Sequence, residues 1–109
     1  MTPIFFPLEL DNPNYEIQLE ILGVEFLFRF KLNEVSDSWF VDILAIDGTC
    51  LRMGIPIVVG GDLFAGWQER ERPEGICLTR VRGDVSDPPN RADMQAGRVD
   101  LLFIPFSEL

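Results

Sequence analysis

The most constraining feature of this sequence is an apolar side chain at every second position over residues 15–21 and 24–32, alternating with side chains that are polar except for Leu27. A period of two is typical of antiparallel strands that bury one face. Gly23 interrupts the alternation and is suited to a tight turn. The pattern therefore predicts a β-hairpin. Its apolar face consists of Tyr15, Ile17, Leu19, Ile21, Val24, Phe26, Phe28, Phe30 and Leu32.

More strand-like segments follow the hairpin and are separated by turn residues. Residues 39–46 are apolar on both faces except for Asp42, which indicates a strand covered from both sides. Asp47-Gly48 predicts a tight hairpin turn in which both central residues adopt positive φ. Further strands are predicted at residues 49–53, 57–59, 76–82 and 99–104, the last one ended by Pro105.

Two segments interrupt the strand pattern. Gly54-Ile55-Pro56 predicts a break in a strand or an edge position, because proline donates no hydrogen bond to a ladder. Residues 62–67 are predicted to form a single helical turn with Asp62 as its N-cap. That turn is too short to be stable as an independent helix.

The remaining pattern is that of an all-β protein. Residues 83–97 contain two prolines, two glycines and three aspartates, which predicts a long loop. Residues 1–8 form an apolar N-terminal arm, and residues 1–109 are expected to form one β domain. The sequence thus predicts a small antiparallel β-barrel or sandwich of about six or seven strands, with one short helical turn.

Charge and composition exclude several classes of protein. The 18 acidic residues against nine basic ones give a net charge of −9, which argues against binding nucleic acid through its phosphates. Charges interrupt every apolar run before the roughly 18 residues that a membrane helix needs. The N-terminus lacks the basic region of a signal peptide, so synthesis and residence in the cytoplasm are expected. Cys50 and Cys77 are too few for a disulfide scaffold and are expected to be buried.

No constellation of residues points to catalysis, a cofactor or a metal. The chain has no histidine, and its serines lack a base partner. The aspartates of the 83–97 loop do not have the spacing of a calcium loop, so a solvated loop is the better interpretation. Gly60-Gly61-Asp62 is not followed by the lysine of a phosphate-binding loop, and its carboxylate would repel an anion.

The chain ends and the arginines are the best candidates for contacts between proteins. Apolar chain ends must be buried, either within their own fold or against another subunit. Eight arginines against one lysine fit an interface composition or, equally well, a GC-rich genome. Two of these arginines share a strand face, where they are either solvated or paired with carboxylates. The interface candidates are Ile4, Phe5, Phe6, Trp67, Arg80, Arg82 and Phe106.

Residues 39–67 contain, in this order, a Trp-apolar-Asp strand, an Asp-Gly turn, a Gly-Ile-Pro strand and a Gly-Asp-Leu segment, and an Asp-Pro loop with a downstream Arg and Asp follows. The residues of this pattern are Trp39, Asp42, Asp47, Gly48, Gly54, Ile55, Pro56, Gly61, Asp62, Leu63, Asp87, Pro88, Arg91 and Asp93. In this pattern the sequence resembles the small baseplate plug proteins of contractile-tailed bacteriophages.

The resemblance implies a structural protein of the virion that plugs the distal end of the tail tube near the central hub and spike. It implies contacts with hub, spike and tube proteins, and with copies of the chain around the tail axis, and it implies no catalytic residue. The alternative is a small β-barrel module that binds a peptide or a polysaccharide. An open pocket on a free monomer would favour that module, whereas apolar patches at subunit contacts would favour the plug.

Overall fold

The computed structural model describes residues 4–67 and 72–108 as seven strands in two antiparallel sheets. One sheet has three strands in the order β1-β7-β6, and the other has four in the order β2-β3-β4-β5. The prediction of an all-β fold is confirmed, and the two sheets form a sandwich, not a closed barrel. The strands are β1 (Ile4–Phe5), β2 (Asn14–Ile21), β3 (Val24–Asn33), β4 (Ser38–Ala45), β5 (Cys50–Pro56), β6 (Gly75–Val81) and β7 (Val99–Pro105).

The alternating segment forms the predicted hairpin of β2 and β3. The two strands pair without a register shift from Asn14–Lys31 to Ile21–Val24. Leu22 and Gly23 connect them with φ angles of 50° and 83°, as a two-residue hairpin turn requires. The apolar face points into the sandwich because side chains alternate across a strand. Its most deeply buried members are Phe26, Phe28 and Phe30.

The turn between β4 and β5 differs from the expected one. The amide of Gly48 donates to the carbonyl of Ala45 at 2.9 Å, and the amide of Ala45 donates to the carbonyl of Thr49 at 2.8 Å. The loop therefore has three residues, and Gly48 has positive φ, at 93°, whereas Asp47 does not. The expectation of positive φ at both residues is wrong because this loop length needs only its last residue in that region.

Strand β5 is an edge strand that continues through the Gly-Ile-Pro segment without a break. Its pairing with β4 shifts register twice, and Gly54 lies at a φ of 64° beside the shifts. Pro56 pairs opposite Phe40 at the end of the strand, where its missing amide costs little. The predicted strand at 57–59 is wrong. Only Ile57 extends the ladder, by donating its amide to the carbonyl of Trp39 at 3.0 Å.

The expected helical turn at residues 62–67 is replaced by a series of turns. The backbone before it pairs with the free edge of β6 instead. Gly60 and Leu63 donate their amides to the carbonyls of Thr79 and Cys77 at 3.0 and 2.9 Å. Because this pairing demands extended backbone, the Asp62 carboxylate has no helix to cap.

Among the described residues the α-helix is α1 (Arg91–Gln95), which lies inside the segment predicted to be a loop, and a 3-10 turn follows β7 at Phe106–Glu108. Asn90 is its N-cap and accepts a hydrogen bond from the amide of Asp93, whose carboxylate accepts from the amide of Asn90. This reciprocal capping box stabilises a helix start. Five residues are too few to produce a helical period in the sequence, and for this reason the helix was not predicted.

The core consists of aromatic rings that reach across from both sheets and from the crossover between β5 and β6. Trp67 of the crossover contacts Phe26 of β3 with the ring centroids 6.0 Å apart. Phe64 contacts Trp67 at 5.4 Å and Phe103 of β7 at 5.9 Å. Phe6 packs edge-on against Phe28 at 4.7 Å. Aromatic contacts therefore connect the two sheets through the crossover and through the residue that follows β1.

The two cysteines are free and lie in different surroundings. Cys77 of β6 is buried, as expected, and burial raises the pKa of its thiol. Cys50 is exposed at the start of β5, so the expectation that it is buried is wrong. Cys50 pairs opposite Leu44 of β4, which does not belong to the core cluster.

Replacing Phe6 by alanine should destabilise the fold itself. Its side chain is 6% exposed, and its truncation leaves a cavity against Phe28. We expect the free energy of unfolding to fall by about 3–5 kcal/mol in urea denaturation. Phe5→Ala is the matched control. Because Phe5 is 51% exposed, its truncation should lower the free energy of unfolding far less. Equal losses in the two variants would contradict the assignment of Phe6 to the core.

Candidate assembly surface

The aspartates of the motif that resembles the plug proteins accept hydrogen bonds from backbone amides that have no partner in the strand ladders. Asp42 of β4 is 4% exposed and accepts the amide of Gly54 through Oδ1 at 2.8 Å. Gly54 lies at the irregular point of β5, where a residue with positive φ is needed and glycine adopts it without strain. The Nζ of Lys31 lies 2.8 Å from the Asp42 Oδ2. The carboxylate therefore fixes the bulge of the edge strand.

Asp62 holds the crossover against the three-stranded sheet. Its Oδ1 accepts the amide of Cys77 at 2.8 Å and the amide of Phe64 at 2.9 Å. Gly61 precedes it in a tight place, since a Cβ there would lie 3.1 Å from the carbonyl oxygen of Val58 and closer still to the Val58 side chain. The Gly-Asp pair is thus explained by close packing and by amide capture, not by anion binding.

Two aspartates of the long loop also accept hydrogen bonds from backbone amides. Oδ2 of Asp93 accepts the amides of Ser86 and Asn90 at 2.9 and 3.0 Å. Oδ1 of Asp87 accepts the amide of Val59 at 3.2 Å, which joins this loop to the crossover. These oxygens point at amides, and residues 4–67 and 72–108 contain no group of acidic, cysteine or histidine side chains that could hold a metal.

Other residues of the motif join α1 to the four-stranded sheet. The indole nitrogen of Trp39 donates to the carbonyl of Asn90 at 3.4 Å. The amide of Arg91 donates to the carboxylate of Asp37 at 3.1 Å. The guanidinium of Arg91 lies 3.9 Å from the carboxylate of Asp11. The motif residues therefore lie in several parts of the molecule, where they hold segments of its backbone together, and do not form one site. The remaining members of the motif are Asp47 and Gly48 in the turn, Ile55 and Leu63 in the core, Pro56 on the edge and Pro88 after a cis bond.

The side of the three-stranded sheet that faces away from the core carries mostly apolar side chains, of which Phe5 is exposed and Ile76, Leu78 and Ile104 are partly buried. Its side chains come from the positions of β6 and β7 that alternate with core residues, and two rows follow from the register, Ile76 beside Ile104 and Leu78 beside Leu102. Phe5 of β1 extends the second row and is 51% exposed. Leu102 is 4% exposed, yet it lies outside the core cluster. We call Phe5, Ile76, Leu78, Leu102 and Ile104 the outer apolar face.

A basic corner, formed by Arg80, Arg82 and Asp100, borders this face. The guanidinium groups of Arg80 and Arg82 lie 3.4 and 2.9 Å from the same oxygen of Asp100. The guanidinium carbon of Arg80 also lies 5.3 Å from the centre of the Phe5 ring. Two guanidinium groups sharing one carboxylate leave a local excess of positive charge on a chain whose net charge is −9.

The predicted interface residues divide between this surface and the core. Phe5, Arg80 and Arg82 come together on one face, and Ile4 points inward and packs against the core. Phe6 and Trp67 are 6% and 1% exposed, so the chain's own fold buries both side chains.

Phe106 lies at the other end of β7 and is 50% exposed. The guanidinium carbon of Arg72 is 5.7 Å from the centre of its ring, and its amide donates to the carbonyl of Glu74 at 3.0 Å. This side chain therefore borders the outer apolar face at the end opposite the basic corner.

The aliphatic residues of the outer apolar face were not among the predicted interface residues. A signal for them exists, since β6 and β7 carry apolar side chains at both odd and even positions. A strand with one solvated face would alternate, as β2 does. The residues that reasoning missed are Ile76, Leu78, Leu102 and Ile104.

The exposed face of the four-stranded sheet is polar by comparison. Glu16 of β2 pairs with Arg29 of β3 at 3.2 Å, and Lys31 pairs with Asp42 across the next strand. Ion pairs at such an exposed surface contribute little to stability but keep the face hydrated. Leu27, Phe40 and Leu44 lie among the charged side chains of this face, whereas the other outer face is apolar except at its basic corner.

These features define a small β-sandwich whose aspartates accept hydrogen bonds from its own backbone and whose three-stranded sheet carries apolar side chains on its outer side. A family model described as the cyanophage baseplate Pam3 plug gp18 matches residues 4–106, and the chain belongs to this family of phage baseplate plugs. No curated protein matches the sequence.

Family membership assigns a structural role in the phage tail baseplate, and it places the protein in the virion. A baseplate plug assembles with other baseplate components. Within the described ranges, none of the helices is long and apolar enough to cross a membrane.

The Asp42 carboxylate should stabilise the fold in a pH-dependent way. Burial raises the pKa of Asp42, but hydrogen bonds from Lys31 and Gly54 outweigh burial, and the net pKa lies below its ordinary value. The stabilisation is therefore complete above the unfolded pKa, about 4, and is lost as pH falls through the folded pKa. Asp42→Asn should lower the free energy of unfolding at neutral pH by on the order of 1 kcal/mol.

Urea denaturation at pH 7 and pH 3 checks this expectation. The difference between the parent and Asp42→Asn should shrink at the lower pH, where the parent carboxylate takes up a proton. Glu34→Gln is the control, because Glu34 is exposed in a turn and the same chemical change there should be neutral at both values. If the difference in the free energy of unfolding between the parent and Asp42→Asn is the same at both pH values, the negative charge of Asp42 contributes nothing to stability.

Proposed function

We propose that this chain, as one β domain over residues 1–109, closes the distal end of the tail tube at the centre of the baseplate. Its contacts would be with hub, spike and tube proteins and with further copies around the tail axis. The observation that carries the proposal is the outer apolar face with its basic corner, on a chain of the baseplate plug family.

Burial of the outer apolar face would supply most of the binding free energy. A fully buried phenylalanine side chain contributes roughly 1.5–3 kcal/mol relative to an exposed one. Phe5 and Phe106 are both about half exposed in the chain alone, at 51% and 50%, and so retain area to bury. The basic corner then favours partners with carboxylates at the matching position, because like charges placed opposite one another are costly.

The acidic charge of the chain fits a position on the path of the genome. DNA must leave through the tube, and a cationic closure would hold its phosphates by releasing counterions. A chain of net charge −9, repeated around the axis, would present a wall that does not retain DNA. We therefore propose that the protein binds no nucleic acid. Acidity would also keep the free protein soluble before assembly.

We further propose that the protein acts by occupying a position and not by catalysis. The carboxylates that would be the first candidates for acid–base chemistry are engaged with backbone amides at 2.8–3.2 Å. General acid–base catalysis needs a carboxyl group that faces its substrate. Family membership in a structural group of proteins supports the same conclusion.

A density map of the intact tail tests the position. We expect several copies of the chain around the tail axis, in contact with hub and tube proteins, and a closed tube before infection. The outer apolar face should be covered by protein in that map. A location on the outer periphery, away from the axis, would overturn the plug assignment.

Removing the exposed aromatic rings should block incorporation without unfolding the chain. The double variant Phe5→Ser, Phe106→Ser should be depleted from purified particles by quantitative mass spectrometry, because it removes apolar area that only assembly buries. Val35→Ser with Met53→Ser is the matched control, since these side chains are 99% and 70% exposed elsewhere. Normal incorporation of the first variant, or equal loss of both, would contradict a specific role for the outer apolar face.

A further inference from the structure

A second unusual surface lies at the tip of the β2–β3 hairpin. Glu20 and Glu25 stand directly opposite each other across the two strands. Leu22 and Val24, between them, are 41% and 52% exposed. We call these four residues the hairpin tip. Directly opposed like charges destabilise a strand pair, and neither glutamate has an ion pair among residues 4–67 and 72–108.

The hairpin tip and the basic corner are complementary in charge. The tip offers two carboxylates that have no ion pair among the described residues, on the outer face of the hairpin, with Leu22 in the turn and Val24 on the opposite face. The outer apolar face offers Phe5 and Leu78 beside Arg80 and Arg82, which share a single carboxylate. One chain therefore carries both halves of a matched contact.

The two surfaces lie towards opposite ends of the sandwich. Leu22 and Val24 line a hollow with Pro73, just before Gly75, which pairs with Pro105 at one end of the three-stranded sheet. The basic corner lies at the other end of β6, where Arg80 pairs with Asp100. A contact within one molecule is therefore excluded by geometry, and a contact between two copies is not.

We propose that a second copy of this chain binds here, with the hairpin tip of one copy on the outer apolar face of the next. Such a contact is heterologous, so repetition closes a ring or extends a filament. A two-fold contact of one outer apolar face with another would leave the glutamates unpaired and bring two basic corners together. The contact is a property of the isolated chain, and only its place in a ring around the tail axis rests on the proposed function.

Charge reversal of either surface should abolish self-association. One variant carries Arg80→Glu and Arg82→Glu, so both of its contact surfaces are acidic. The other carries Glu20→Arg and Glu25→Arg, so both are basic. In sedimentation velocity, each variant alone should associate at least about tenfold more weakly than the parent chain, because like charges now meet.

Mixing the two variants is the decisive experiment. The acidic face of the first variant then meets the basic tip of the second, while the unaltered face of the second meets the unaltered tip of the first. Association in the mixture should return to about the parent level, and a chain with all four substitutions should also associate. Each variant is first compared with the parent by circular dichroism. If Arg80→Glu, Arg82→Glu does not fold, Arg80→Ser, Arg82→Ser replaces it and should still weaken association.

Glu34→Arg is the matched control for Glu25→Arg, because it makes the same change of charge on an exposed residue at the opposite end of β3. The control should leave association unchanged. A parent chain that stays monomeric at millimolar concentration would overturn the proposal, as would a mixture of the variants that does not associate. A dimer that survives both reversals would also overturn it, because another surface would then form the contact. None of these results depends on where the protein lies in the tail, which the density map decides separately.

Discussion

Backbone amides that find no partner in a strand ladder are held by aspartate carboxylates, and the rest of this fold depends on that arrangement. A buried amide without a partner costs about 1–3 kcal/mol, so irregular backbone is tolerated only where something accepts its hydrogen bonds. Asp42 does so at the bulge of β5, Asp62 at the crossover and Asp93 at the start of α1. Each of these places fixes a segment whose apolar side chains fill the core. The carboxylates of the family-like motif are therefore explained by folding.

This use of the acidic side chains divides the surface of the molecule. The polar face of the four-stranded sheet pairs its own charges, as Glu16 and Arg29 do. The three-stranded sheet leaves aliphatic and aromatic side chains on its outer side, where Phe5 is half exposed. Apolar side chains that a sheet carries on its outer side are suited to contact with another molecule. The asymmetry between the two faces thus carries more functional information than any cluster of polar residues.

Local periodicity made the β2–β3 hairpin predictable, because every second side chain over 15–32 is apolar and the turn has a glycine. The helix α1 was not predictable in this way, since five residues produce no period and its stability comes from the capping box of Asn90 and Asp93. Burial of Phe6 and Trp67 depends on rings that lie far away in the sequence. An apolar residue near a chain end or a turn looks the same whether its own fold or a neighbour covers it. The three aspartates were recognised as part of a motif, but their role required the positions of the amides.

The sheet edges explain why assembly through a face or a tip is favoured over strand addition. Strand β1 is only two residues long, β5 is bulged and ends in Pro56, and residues 60–63 cover the free edge of β6. Short, bulged or covered edges resist pairing with another chain. Only β2 is a long and regular edge, and it carries Glu16 and Glu20 on its outer side. Antiparallel pairing of two such edges would bring the glutamates of both copies close together, and their repulsion opposes it. Side-chain contacts of the outer apolar face and the hairpin tip are what remains for joining one copy to its neighbours.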